Sequence, residues 1–149
     1  MNKKIIYVLM GLIIISLATL CFAAPKDDAV ALVKKAAAFY KANGKDKLIA
    51  EINKPNGQFV KGDVYVFIWT LNYSVLAHPA NPKLIGMDMT ELKDPDGKRF
   101  VYEAVELAKA KGSGWVDYRY TNPVKKKVEA KTTYVLKVDD LILACGIYK

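Results

Sequence analysis

The chain begins with Lys3 and Lys4 and then runs apolar without a break from Ile5 to Leu17, before Ala18, Thr19, Leu20, Cys21, Phe22, Ala23 and Ala24. A basic start, an apolar stretch and a small-residue end make the pattern of an export signal. Cleavage after Ala23 places Cys21 and Ala23 at the two small-residue positions, so residues 1–23 are read as a signal peptide and the mature chain as periplasmic from Ala24. An uncleaved inner-membrane anchor is the alternative, since about 20 apolar residues span a bilayer. A lipoprotein is disfavoured by Leu20 directly before the cysteine.

Past the signal the apolar positions change period twice. Between Pro25 and Asn43, Val30, Val33, Ala37 and Tyr40 recur at helical spacing, with Leu32, Ala36 and Phe39 beside them. Pro25 at the start, Asp27 and Asp28 in the first turn and Gly44 as the stop agree with a long helix. Asp46 is placed to cap a shorter helix through Leu48, Ile49 and Ile52, which ends before Pro55, Asn56 and Gly57. Val64 to Trp69 then reads as a strand buried on both faces, and Val75 to His78 as its partner, ended by Pro79 and Pro82. Asp94, Pro95, Asp96 and Gly97 form a turn into a helix from Lys98 to Lys111, whose Val101, Ala104, Val105 and Ala108 share a face. Strands follow from Trp115 to Thr121, about Lys131 to Val138, and Leu141 to Tyr148, the last two joined at Asp139 and Asp140. Asn122, Pro123 and Lys125 to Lys127 read as an exposed hairpin loop whose charged tip takes no part in binding. This order predicts one α+β domain over residues 24–149: a five-stranded antiparallel sheet, a long N-terminal helix and further helices on one side.

Composition narrows the chemistry. Of 149 residues, 23 are Lys or Arg and 15 Asp or Glu, a formal charge of +8. Losing Lys3 and Lys4 with the signal leaves 21 basic residues against 15 acidic ones, or +6, ordinary for a soluble surface. Only Arg99 and Arg119 are arginines, which removes the best reagent for reading nucleic acid, and no nucleic-acid partner is expected. The single histidine excludes sites built from several imidazoles, no nucleophile motif occurs, and neither metal nor cofactor is expected. Asp94 and Asp96 lack the rest of a calcium loop and are read as turn and cap residues. Cys145, left alone after cleavage, reads as a buried hydrophobe in the last strand.

From Tyr73 to Tyr148 the chain carries an ordered set of short motifs: Leu76, Ala77, His78, Pro79; Leu84, Ile85, Gly86; Asp94 to Lys98; Gly112 to Tyr120; Asn122, Pro123; Lys131 with Thr133, Tyr134, Val135; and Cys145 to Tyr148. In order and spacing this set resembles the single Cache domain, a PAS-like extracytoplasmic sensor module of bacterial chemoreceptors and sensor kinases. The resemblance implies a pocket over the sheet that takes small organic solutes, often short carboxylates. It also implies a membrane-bound signalling partner, because this chain stops at Lys149 and carries no signalling module of its own. A homodimer through the N-terminal helix stays open.

A buried carboxylate needs a cation and several donors around it. Lys131, placed by the motif at a strand start, is the candidate cation, with Tyr118, Tyr120 and Tyr134 as phenol donors. Tyr65, Phe67 and Trp69 share a strand face and are candidate walls, Trp69 among the ligand-binding set. His78, the only imidazole, could donate to a ligand through a shift of its charge near neutral pH. The reading is therefore a periplasmic small-acid binder. The alternatives are a small envelope enzyme and a structural envelope protein with a filled core.

Overall fold

The computed structural model describes residues 25–149, so the expected signal peptide lies outside the described residues. Helix α1 runs over Pro25–Asn43 and α2 over Lys45–Ile52. Gly44 joins them at φ +84°, a left-handed conformation that suits glycine. Its N–H closes α1 on the Tyr40 carbonyl while its own carbonyl accepts the Leu48 N–H, so Gly44 occupies the cap position expected of Asp46, which sits inside the first turn of α2.

Strands β1 (Val60–Lys61), β2 (Val64–Thr70) and β3 (Val75–Ala77) precede α3 (Phe100–Lys111), and β4 (Ser113–Thr121), β5 (Val128–Val138) and β6 (Leu141–Tyr148) complete the chain. All pair antiparallel, in the order β1, β2, β6, β5, β4, with β3 also on β2. The sheet thus gains β1, a two-residue strand too short to show a period. α3 begins at Phe100 and not Lys98 because Asp94 holds the preceding turn. Its Oδ1 accepts the N–H groups of Asp96 and Lys98, and its Oδ2 that of Arg119 on β4. Burial pushes this carboxyl up, yet the three amide donors bring it below the usual carboxylate range.

The expectation that the helices share one side is corrected by the sheet's alternation. Tyr65, Phe67 and Trp69 of β2, with Ile142 and Ala144 of β6, pack with α3 through Phe100, Val101, Ala104, Val105 and Ala108. The intervening Val66, Ile68, Leu143 and Cys145 pack with Ala29, Val33 and Ala36 of α1 and Leu48 and Ile52 of α2. Because successive strand residues point to opposite faces, apolar residues at both parities demand cover on both sides. Tyr40, which donates to Asp139 Oδ2 at 2.8 Å, ties the end of α1 to the β5–β6 turn.

Candidate functional site

On the α3 side, a cavity of about 20 Å³ lies between sheet and cover. Its floor is Phe67 and Trp69 of β2, Tyr118 and Tyr120 of β4, and Lys131 of β5. Val75 and His78 close one side, Leu84, Met89 and Leu92 reach in from the connection between β3 and α3, and Phe100 and Val101 enter from the first turn of α3.

Lys131 dominates the electrostatics. Its residue is 2% exposed, and Nζ donates to the hydroxyls of Tyr65 at 3.1 Å and Tyr148 at 3.2 Å. Nζ also lies over the rings of Tyr65 and Tyr148 at 4.7 and 4.6 Å from their centroids. No carboxylate among the described residues pairs with it, and burial pulls the ammonium down to about 7. The sheet register explains how one side chain crosses three strands. Lys131 pairs with Tyr148, and the next pairs of that face, Thr133 with Gly146 and Gly146 with Tyr65, lead to β2. A β-carbon on Gly146 would collide with Lys131 Cε and Thr133 Oγ1, so the lysine stem occupies the groove that glycine leaves.

The phenols around it are held neutral. Burial raises Tyr65 and Tyr118 far above the usual range and Tyr148 to about 12. Tyr118 shares a 2.9 Å hydrogen bond with Thr133 Oγ1, and its ring stacks on Phe100 at 4.2 Å. Tyr148 donates to the Thr121 carbonyl at 2.9 Å. His78 is pulled down to about 4, by burial first and then by the charge of Lys131. Its Nδ1 accepts the Asn81 N–H at 3.0 Å, which assigns the ring proton to Nε2. The imidazole, stacked on Phe67, is therefore a neutral donor at pH 7, not the charge switch expected from sequence.

Of the sequence candidates, Lys131, Tyr118, Tyr120, His78 and Trp69 meet at this cavity. Tyr134 does not: an odd number of residues from Lys131, it faces the α1 layer, its ring 5.4 Å from that of Trp115. Tyr148 and the connection residues Leu84, Met89 and Leu92 were missed. Tyr148 was within reach, since it stands opposite Lys131 once the β5–β6 hairpin is registered at Asp139 and Asp140. The connection has no regular period to read. Among the described residues no cluster of three metal-ligating side chains occurs, and no helix is long and apolar enough to cross a membrane.

The arrangement joins one buried cation, several neutral donors and apolar walls, a set of groups able to neutralise and hydrogen-bond a small anion. Residues 34–149 match the family model for the single Cache domain 2. The chain belongs to that family. Over 88 residues this Cache domain is 38% identical to the methyl-accepting chemotaxis protein McpP of Pseudomonas putida, which covers 58% of this chain and 16% of that protein. It is 27% identical to the sensor histidine kinase MctS of Rhizobium johnstonii, covering 58% of this chain and 19% of that protein. The match thus spans less than a fifth of either relative. A solved structure described as the basis for carboxylic acid recognition by a Cache chemosensory domain superposes with a TM-score of 0.70 at 30% identity, over 83% of this chain and 92% of that one. A methyl-accepting chemotaxis protein from Vibrio parahaemolyticus shares the fold at a TM-score of 0.71 and 21% identity, over 83% and 87% of the two chains.

Proposed function

We propose that this Cache domain works outside the cytoplasm as a receptor for a short organic acid such as acetate, propionate, lactate or pyruvate. It binds and does not turn over its ligand, and it passes the bound state to a membrane-bound signalling partner. The observation that carries this reading is Lys131, an ammonium buried in an apolar cavity with phenol hydroxyls but no carboxylate beside it. A buried charge without a counter-ion is costly, and a ligand carboxylate supplies one. Carboxylic acid recognition by the 30% identical neighbour supports the same class of ligand. Residues 1–23 act in this reading as a cleaved leader. Mass spectrometry of the periplasmic fraction then finds a chain starting at Ala24, whereas an intact membrane-held chain with Met1 favours the anchor.

The binding test is a thermal-shift panel of organic acids, amino acids and amines. Ligand at 100 times its dissociation constant stabilises the native state by about 2.7 kcal/mol. For a domain of this length that raises the melting temperature by about 8 to 11 °C. A panel with no shift at all would overturn the receptor reading.

A further inference from the structure

Outside the cavity, and sharing His78 and Tyr120 with it, lies a larger hollow of about 360 Å³. Its far wall is the β4–β5 loop, through Thr121, Pro123 and Lys126. Among the residues around this hollow Lys126 carries the only charge, because His78 is neutral and the rest are uncharged.

The loop that presents Lys126 is firmly built. Asn122, fully buried, accepts the N–H groups of Val124 and Lys125 with Oδ1 and donates through Nδ2 to Asp63 and Glu129. Its backbone N–H reaches the Lys127 carbonyl, and its carbonyl accepts the Lys126 N–H. Lys125 is spent on Glu129 at 3.0 Å. Lys126 itself adopts φ +57°, a left-handed conformation costing a non-glycine residue about 1 to 2 kcal/mol. The backbone that presents Lys126 at the rim of the hollow is thus fixed, with its side chain exposed. The hollow on the other side of Tyr120 also has cations, Lys93 and Arg119, but Asp94 lines it with them and Asp96 stands 3.7 Å from Arg119.

We infer that the outer hollow is the mouth of the binding cavity and that Lys126 is its capture cation, which draws an anionic ligand in before Lys131 holds it. This rests on the receptor reading above. It departs from the expectation that the hairpin tip is a bystander, and the test that follows decides between the two. A charge at a mouth raises association and leaves dissociation nearly unchanged.

The test is stopped-flow binding of propionate to the parent, Lys126→Gln and Lys93→Gln. At low salt Lys126→Gln should slow association roughly threefold with an unchanged dissociation rate, and the difference should vanish near 1 M salt, where charges more than about 3 Å apart are screened. Lys93→Gln should match the parent. An unchanged association rate in Lys126→Gln, or an equal slowing in Lys93→Gln, overturns the inference. A second arm needs no organic ligand. In a Trp115→Phe background Trp69, at the cavity, is the one remaining tryptophan. Its quenching by iodide relative to neutral acrylamide should fall on adding Lys126→Gln. If the parent binds no acid, the receptor reading fails and the iodide ratio alone decides Lys126: a lowered ratio sustains the mouth, an unchanged ratio overturns it.

Discussion

The Cε of Lys131 lies over Gly146, on the neighbouring strand, in the space that a β-carbon would fill. Lys131 is therefore positioned by an absence: any side chain at 146 must displace either the lysine stem or the Thr133 hydroxyl, and both are packed.

Gly146→Ala should cost about 1 to 3 kcal/mol of stability through overpacking. It should also abolish or sharply weaken ligand binding, since the ammonium can no longer reach between Tyr65 and Tyr148. Urea unfolding and calorimetry on the same preparation check the two parts. A variant that binds like the parent shows that the lysine reaches its place by another path.

Lys131→Met keeps most of the stem's volume and removes the buried charge. The ligand-free variant should be more stable than the parent, by about 1 to 3 kcal/mol, because an uncompensated charge no longer has to be desolvated. Its affinity for an organic acid should fall by about 2 to 5 kcal/mol, as expected on losing one partner of a buried charge pair. The opposed signs separate binding from scaffolding. Denaturant titration reads the first, calorimetry the second.

The pH dependence follows from the same burial. Lys131 has a folded value of about 7, below its unfolded value near 10.4, so the native state holds fewer protons than the unfolded chain between these limits. Stability should rise with pH across that window, and Lys131→Met should remove this rise. His78, lowered to about 4 from near 6.5, adds a second window: its contribution is complete above 6.5 and is lost as pH falls toward 4. Ligand affinity moves the other way. Only the ammonium form attracts a carboxylate, so affinity should fall above pH 7, approaching roughly tenfold per unit, and binding should take up a proton. Calorimetry in buffers of different ionisation heat measures that uptake; zero uptake at pH 8 contradicts it.

The sequence disclosed the sheet and the long helix because their signals are local. Helix α1 carries its start, its charged first turn and its glycine stop within Pro25 to Gly44, and the observed ends are the expected ones. The site was legible in part. Strand parity placed Tyr118 and Tyr120 together, but Lys131 and Tyr134, three apart, had to fall on opposite faces, and only the motif had grouped them. Tyr148 and Tyr65 meet Lys131 through a register running across β5, β6 and β2, which no single segment encodes. The split of helices between the two faces was hidden for a related reason. An all-apolar β2 shows that both faces are covered without saying which helix covers which.

The two tyrosines give a paired control. Tyr120→Phe keeps the ring at the cavity and removes one donor, which should weaken binding by about 0.5 to 1.5 kcal/mol if the phenol bonds the ligand. Tyr134→Phe, on the α1 face, should leave affinity unchanged. Parallel isothermal titrations decide it, and equal losses in both would mean that the faces do not divide the roles.

Strand β6 runs in the sheet between the α3 layer and α1, with β2 and β5 on either side of it. Gly146 lies beneath the Lys131 stem on the cavity side, while Cys145, the adjoining residue, packs on the opposite side in the layer that holds Val33 and Ala36. Cavity side and helix side are thus neighbouring residues on one strand, with no second layer between them. Close-packed interiors yield little, so a shift of this strand is delivered to the helix nearly undiminished. The sheet is a partition one strand thick, so packing changed on one surface is met directly by the other, where α1 lies.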